Sequence, residues 1–290
     1  RHTRYPLVTG VQTCALPICL EHPLVKVARS LHTPQGRRRH GACLVEGRRV
    51  VEAASATSAP RFVFHTVAFV RSDAGAKALV RRLRVAGVTV REVADDVLAA
   101  MSDTVQPQGV VAVISVPSRP DTPRSTWPTP LSLILDAVSD PGNAGTLIRV
   151  AAGVGAHIVA TTSTTDLWAP KVVRAGAGAH FATDVVTHAQ WESIPRLLPE
   201  GTVIVATEAR AETTIWDIDL TGPVAIVVSN EAHGASDGAR RHASRAVRIP
   251  QGSGDSLNAA IAGAVVLYEA VRQRLRAGFE LPSVAEASWN

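Results

Sequence analysis

The stretch that decides the fold is SDPGNAGTLIRVAAGVGAH, residues 139–157, which follows an apolar run at residues 131–135. It holds four glycines within fourteen residues, and one arginine, Arg149, lies on a segment otherwise suited to an apolar helix. A strand, a glycine-containing turn and a helix in this order predict one unit of an open parallel α/β sheet, whose ligands bind beyond the carboxyl ends of the strands. The spacing is not G-x-G-x-x-G, and no acidic residue about twenty positions later could hold a ribose. A dinucleotide-binding fold is therefore disfavoured.

The composition is typical of a soluble protein with two domains. The chain has 290 residues, 46% of them hydrophobic and 19% charged, and no apolar run approaches the roughly 18–20 residues of a membrane span. The net charge is +5 and nearly all basic residues are arginines, which suits a nucleic-acid partner, although a GC-rich coding sequence explains this bias equally well. Cys14, Cys19 and Cys43 lack the spacing of a zinc site or a disulfide framework. No metal is expected, and the cytoplasm is the expected compartment.

Changes in sequence pattern divide the chain into five parts. Residues 1–20 begin at Arg1, follow neither helical nor strand periodicity and resemble a translated sequencing adapter, so they are expected to be a non-native or disordered extension. Residues 24–117 predict a small α/β domain. The four prolines of residues 118–130 predict a linker. Residues 131–276 predict a second α/β domain, and residues 277–290 a tail.

Local patterns predict the elements of both domains. In the first domain we expect a basic loop at residues 33–41, a buried strand across residues 61–70 and a helix at residues 75–87 with its arginines exposed. In the second, near-continuous apolar strands alternate with helices, which predicts a parallel sheet covered on both faces. Its strands are expected at residues 131–138, 157–161, 181–186, 202–207, 224–229 and 246–250. Its helices are expected after Asn143, Ala169, Gln190, Ala235 and Ser256.

Three segments of the second domain carry candidate site residues. In the first, Asn143 is expected to cap the helix after the turn DPGN at residues 140–143. In the second, the strand at residues 224–229 enters the polar turn SNEAHG at residues 229–234. In the third, glycines at 252 and 254 precede a helix that Asp255 or Ser256 is expected to cap. Each segment taken alone is equally compatible with an ordinary cap or loop.

Taken together and in this order, the three segments resemble the motifs of a known enzyme family. DPGNAGTLIRVAAGVGA (140–156), SNEAHG (229–234) and IPQGSGDSLNAAIAGAVVLYE (249–269) resemble the three motifs of the SpoU (TrmH) family of RNA 2′-O-ribose methyltransferases, of the SPOUT superfamily. The region before them resembles the family's substrate-binding domain, which is similar to ribosomal RNA-binding proteins. The resemblance covers residues 25–274.

The resemblance implies a fold, a cofactor and a set of site residues. It implies an α/β fold with a trefoil-knotted parallel sheet, S-adenosylmethionine bound in the loops of the knot, and a homodimer with the site at the subunit interface. By motif, the catalytic residues are Asn143, Arg149, Glu231, Ser256 and Asn258. The cofactor residues are Ile249 and Leu257, with Ser229 where the family usually has glycine, and Thr207 and Gly234 as weaker candidates.

The resemblance also implies a use for the basic residues, and it leaves alternatives open. Structured RNA is expected to contact Arg37, Arg38, Arg39, Arg48 and Arg49. Large-subunit ribosomal RNA is the favoured substrate, with transfer RNA or a non-catalytic ribosome-assembly role as alternatives, and a role in antibiotic resistance is compatible with this layout. Arg149 is expected to stabilise the developing alkoxide or to orient the 2′-hydroxyl, because a guanidinium normally stays protonated; a role as base is the alternative.

Overall fold

A computed structural model describes residues 18–117, 128–230, 232–252 and 257–281, and these residues form two α/β units, each built on one sheet. The expectations for most of residues 1–20, for the linker up to residue 127 and for the tail beyond residue 281 lie outside the described residues. No described helix is long and apolar enough to cross a membrane.

The first unit is a mixed sheet with strand order β1-β4-β2-β3. β4 runs antiparallel to β1 and β2, and β2 runs parallel to β3. Its elements are α1 (Pro23–Ser30), α2 (Pro34–His40), β1 (Ala42–Glu46), α3 (Arg48–Thr57), β2 (Phe62–His65), α4 (Val67–Ser72), α5 (Ala74–Val85), β3 (Thr89–Glu92), α6 (Asp95–Ala99) and β4 (Val110–Ser115).

Two local predictions for this unit are wrong, and side-chain caps explain both. The predicted ten-residue strand ends at His65, because the Thr66 side chain accepts a hydrogen bond from the backbone N–H of Phe69 and starts α4. The predicted basic loop is the helix α2. Thr33 caps that helix by accepting from the N–H of Gly36 at 3.0 Å, and Gly41 ends it in the left-handed conformation with φ of 53°.

The second unit is a parallel sheet, as predicted. Every neighbouring pair in its order, β7-β6-β5-β10-β8-β11-β9, runs parallel. Its strands are β5 (Leu131–Asp136), β6 (His157–Thr161), β7 (Val185–Ala189), β8 (Val203–Thr207), β9 (Thr213–Thr214), β10 (Val224–Ser229) and β11 (Arg245–Arg248). Its α-helices are α7 (Pro141–Gly153), α8 (Pro170–Ala175), α9 (Ile194–Leu197), α10 (Asp237–His242) and α11 (Ala259–Arg276). β7 starts later than predicted, because Ala179–Phe181 forms a 3-10 turn.

Apolar layers cover both faces of this sheet, and one of them fixes the helix that ends the unit. α11 packs against α7 and β10. A methyl group at Gly263 of α11 would overlap the Leu147 side chain of α7 and lie 3.0 Å from Val228 Cγ2 of β10. Glycine at this position therefore lets α11 approach the sheet closely.

The two units share a core, and Arg37 belongs to it. Trp168, Val173 and Phe181 of the second unit pack in the same apolar cluster as residues of β1 and α3. The Arg37 side chain is 5% exposed and donates from Nε and Nη2 to Asp166 Oδ2 at 2.9 and 2.6 Å. The predicted placement of Arg37 on an RNA-facing loop is therefore wrong, because its guanidinium is enclosed between the units by an ion pair.

Two buried histidines make the stability of the fold depend on pH. Burial lowers the pKa of His157 and of His180 to about 4. His157 contacts Ser132 Oγ through Nε2 at 2.9 Å, and the His180 ring lies against Trp168 with its two nitrogens unpaired among the described residues. The folded chain therefore holds both rings neutral at pH values where the unfolded chain protonates them.

We expect the contribution of the two neutral histidines to the free energy of unfolding to be complete above pH 6.5. It should be lost as the pH drops from 6.5 to 4. In that window the unfolded state binds more protons, and the loss is up to roughly 3 kcal/mol per histidine. Urea denaturation at several pH values measures it, and His180→Leu should flatten the slope relative to the parent. An equal slope in the parent and the variant would contradict the assignment to His180.

Candidate functional site

The carboxyl ends of β8, β10 and β11 meet at a cleft of about 610 Å³. All five residues predicted to bind the cofactor line it, although they come from four separate segments of the chain. They are Thr207 at the end of β8, Ser229 at the end of β10, Gly234 in the following loop, Ile249 after β11 and Leu257 before α11. The structure thus brings the five residues together, and their binding role stays a prediction.

The lining of the cleft suits a small molecule with both apolar and polar parts. Val228, Val247 and Ala262 add apolar surface to that of Ile249 and Leu257. Charged groups also line it, among them Glu208 and Arg240, which are 3.6 Å apart as an ion pair. The volume lies in the usual range of about 300–1,000 Å³ for such sites.

The loop after β10 is fastened to the turn after β5 by Asn230, which the sequence reasoning did not single out. Its Nδ2 donates to the Ala137 carbonyl and to Ser139 Oγ, each at 3.2 Å. Its Oδ1 accepts from the N–H of Ala232 and of His233, and Gly234 closes the loop with φ of +67°. The second motif is thereby joined to the turn that leads into the first motif. Glu231, the predicted catalytic residue of this loop, lies outside the described residues.

Asp136, at the end of β5, is a second residue that the sequence reasoning missed. Its side chain is 1% exposed and accepts four hydrogen bonds. Oδ1 accepts from Trp191 Nε1 at 3.0 Å and from Ser236 Oγ at 2.8 Å. Oδ2 accepts from Ser229 Oγ at 2.9 Å and from the Ser236 N–H at 2.8 Å. Its position in the sequence, an acidic residue at the end of a predicted central strand, could have identified it as a candidate.

The turn before α7 differs from the prediction, because Asn143 is not the residue that caps the helix. Asp140, not Asn143, is the N-cap: the helix begins at Pro141, and Asp140 Oδ1 accepts from the N–H of Asn143 at 2.8 Å. Proline is favoured in the first turn because it has no N–H to satisfy there, which moves the cap one residue ahead of it. The Asn143 side chain instead makes a contact outside its own helix.

Asn143 meets Asn258, so the first and third motifs are in contact. Asn258 Nδ2 donates to Asn143 Oδ1 at 2.9 Å across 115 positions of sequence. Asn258 also caps α11, accepting on Oδ1 from the N–H groups of Ala260 and Ile261. The prediction that Asp255 or Ser256 caps this helix is wrong, because α11 begins at Ala259. Ser256, predicted as catalytic, lies outside the described residues.

The predicted catalytic arginine is exposed. Arg149 lies on α7 six residues after Asn143, and it forms no hydrogen bond or ion pair with the described residues. A long cationic side chain that is not committed to the fold can reach a ligand.

The remaining predicted RNA contacts lie at the surface of the first unit. Arg38 and Arg39 are exposed on α2, and Arg49 is exposed at the start of α3. Arg48 is half-buried and pairs with Asp73 at 2.6 Å. Within the described ranges, no group of three or more histidine, cysteine or carboxylate side chains could hold a metal ion.

Comparisons with known proteins find relatives that cover both units. Residues 130–268 match the model of the SpoU rRNA methylase family, and residues 22–112 match an MRM3-like substrate-binding domain. An uncharacterised tRNA/rRNA methyltransferase of Synechocystis is 34% identical over 93% of this chain and 97% of its own. A 23S rRNA (uridine(2479)-2′-O)-methyltransferase of Streptomyces viridochromogenes is 32% identical, with 69% and 72% covered. The crystal structure of the SpoU methyltransferase AviRb from that organism, in complex with AdoMet, superposes with a TM-score of 0.73 at 28% identity, covering 88% of this chain and 100% of that one.

Proposed function

The chain belongs to the SpoU rRNA methylase family, and from this premise we infer that it methylates a ribose 2′-hydroxyl of large-subunit ribosomal RNA with S-adenosylmethionine as the donor. The observation that carries this inference is the cleft, where five residues separated by up to 50 positions of sequence line one cavity next to the Asn143–Asn258 contact. The names of the relatives favour ribosomal RNA over transfer RNA.

The cleft fits the donor. Ile249 and Leu257 offer apolar surface to an adenine ring, while Thr207 and the loop at Gly234 offer polar groups to the ribose and the amino-acid part. When bound, S-adenosylmethionine supplies an activated methyl group on a cationic sulfur, so the transfer needs no metal.

The protein must align the 2′-hydroxyl with the methyl group and stabilise the charge that develops on the oxygen. We assign that charge stabilisation to Arg149, because it is an exposed cation with no partner among the described residues on the helix that presents Asn143. Asn143 and Asn258 hold the starts of α7 and α11 together through their 2.9 Å contact. Their role is to fix the wall on which substrate ribose and donor meet.

The test of this function is methyl transfer from radiolabelled S-adenosylmethionine to ribosomal RNA, followed by mapping of 2′-O-methylated positions. We expect one or a few labelled riboses in large-subunit RNA. Label in transfer RNA instead would reassign the substrate. RNA binding without calorimetric binding of S-adenosylmethionine would favour a non-catalytic assembly protein.

The connections of the second unit support the trefoil knot that the resemblance implies. After β10 the chain reaches β11, which lies beyond β8, and α11 then returns across β10 to pack on α7. The last segment thus passes back over strands that are already in place. We propose that it does so through the loops around the cleft.

The surface arginines of the first unit support a role as the RNA-binding unit. We expect the double substitution of Arg38 and Arg39 to alanine to weaken RNA binding by the full-length protein about tenfold at low salt and to reduce the slope of log K against log salt by about 2. The reason is that each arginine that contacts a phosphate releases one counterion. Binding titrations at several salt concentrations measure both quantities.

Arg37→Ala is the matched control, since Arg37 is adjacent in sequence but buried in its ion pair with Asp166. It should lower the melting temperature and leave the salt slope as in the parent. If the double variant and the parent share one slope, α2 does not contact RNA.

An exposed apolar stripe on α11 supports the homodimer. Ile261, Val265, Tyr268 and Leu275 lie on one side of the helix, and the side chains of Ile261 and Tyr268 are 54% and 57% exposed. The stripe starts three residues after Asn258, so a partner seated on it would lie beside the cleft. Exposed apolar patches of this kind mark protein interfaces.

We expect the double substitution Ile261→Asp and Tyr268→Asp to convert a dimer into a monomer in sedimentation velocity, because two desolvated carboxylates would face the partner. Val85→Asp, an exposed apolar position on α5, is the control and should leave the sedimentation coefficient unchanged. A parent protein that sediments as a monomer would refute the dimer.

A further inference from the structure

The Asp136 carboxylate holds both ends of the loop that lines the cleft. Ser229 is the last residue of β10 and Ser236 caps α10, and the described loop residues 230 and 232–235 lie between them. Both serines bond to the same carboxylate, at 2.8–2.9 Å, and Trp191 adds a fourth bond from outside the loop. Displacing this one side chain would remove a hydrogen bond at each end of the loop, and the contacts of Asn230 with the turn after β5 would be left to hold it.

The carboxylate also places a negative charge behind the cleft, one hydrogen bond away from the cleft-lining residue Ser229. Each oxygen accepts one N–H and one hydroxyl, and an ionised carboxylate, which only accepts hydrogen bonds, satisfies all four donors. No described cation forms an ion pair with Asp136. Arg241 lines the same small cavity as Asp136, of about 290 Å³, without pairing with it. All four hydrogen bonds to the carboxylate therefore come from neutral donors.

The Ser229 hydroxyl links this charge to the cleft. Ser229 lines the cleft, and its Oγ donates to Asp136 Oδ2, so the side chain that replaces the family's usual glycine is turned toward the carboxylate. A buried charge in low-dielectric surroundings acts on a nearby ligand charge more strongly than an exposed one would.

We propose that Asp136 is a positioning residue that also makes the cleft discriminate by charge, favouring the cationic S-adenosylmethionine over the neutral S-adenosylhomocysteine that remains after methyl transfer. This proposal rests on the proposed function. The two ligands differ by the methyl group and the positive charge on sulfur. The ratio of their affinities therefore measures how strongly the electrostatic potential in the cleft favours the cationic ligand. A loosened loop would lower the affinity for both ligands alike, whereas loss of the charge would lower only the affinity for the cationic ligand.

The test is calorimetric titration of the full-length protein with each ligand separately. Asp136→Asn should lower the affinity for S-adenosylmethionine about tenfold more than that for S-adenosylhomocysteine, which is about 1.4 kcal/mol of discrimination. Asp136→Glu, which keeps the charge while disturbing the packing, should retain the parent's ratio. Asp219→Asn is the matched control. Asp219 precedes β10 at the opposite edge of the sheet, where its carboxylate accepts hydrogen bonds from Thr221. This substitution should change neither affinity.

The ratio is measured on folded, binding-competent protein, so partial unfolding of a variant does not affect it. An unchanged ratio in Asp136→Asn would overturn the proposal, whereas a parent protein that binds neither ligand would overturn the proposed function itself. If Asp136→Asn does not fold, Ser229→Ala decides the question. It leaves Oδ2 one donor short and should raise the preference for S-adenosylmethionine about twofold; an unchanged or lower preference would refute the role of the charge.

Discussion

Arg149→Ala is expected to abolish methyl transfer while binding of S-adenosylmethionine stays within about twofold of the parent. Removal of one group that stabilises developing charge on oxygen costs about 10²–10³ in rate. The side chain is exposed and has no partner among the described residues, so its loss should leave the fold intact. Single-turnover methylation with labelled donor measures the rate, and calorimetry measures the binding.

Arg149→Lys and Arg196→Ala separate the possible causes of that loss. Lysine keeps the charge but loses the planar fork of donors, so partial activity is expected if charge is the main contribution. Arg196 is exposed on α9, and its alanine variant should keep full activity. Turnover of Arg149→Ala at the parent's rate would reject the assignment of Arg149.

The pH profile of the same enzyme distinguishes a base from an electrostatic role. A guanidinium that stays protonated gives no ionisation near neutral pH, so Arg149→Lys should keep the parent's profile. A lysine acting as base would shift the profile toward lower pH, because the ammonium loses its proton more readily than a guanidinium.

Hydrophobic patterning predicted the parallel sheet, most of its strands and the order of its helices. The strands at β6 and β10 have the predicted bounds, since each is a continuous apolar run between polar turns. The strand predicted at residues 61–70 was too long, because apolar residues continue from β2 into α4 and the Thr66 cap that separates them adds little to the pattern. Periodicity does not locate such a boundary.

The motifs named five residues that the fold brings to one cleft, but they did not indicate which polar residues support them. Asp136 precedes the first motif and Asn230 lies inside the second, and both act through partners that are distant in sequence. Arg37 illustrates the same limit, because three consecutive arginines look alike in sequence although the helix α2 turns one inward, toward Asp166. Side-chain direction follows from tertiary packing, which one sequence does not record.

Arg274 is the side chain whose loss should destabilise the fold most. It is fully buried near the end of α11 and donates to four backbone carbonyls, those of Thr129, Pro130, Leu220 and Gly222. These carbonyls precede β5 and β10, at the edge of the sheet opposite the cleft. Burial lowers the pKa of Arg274 to about 10, so the side chain remains charged at neutral pH. One guanidinium thus joins the final helix to the entry segments of two central strands.

We therefore expect Arg274→Ala to lower the free energy of unfolding by about 3–5 kcal/mol, since four carbonyls lose a charged donor in a buried setting. In thermal denaturation at fixed protein concentration this corresponds to a loss of roughly 10 °C. Arg274→Lys should lose an intermediate amount, because an ammonium keeps the charge but cannot span the four acceptors. Arg276→Ala, two residues later and exposed, is the matched control and should change stability by less than about 0.5 kcal/mol. If Arg274→Ala loses no more stability than this control, water replaces the guanidinium. The hydrogen bonds between α11 and the segments that precede β5 and β10 would then contribute nothing to stability.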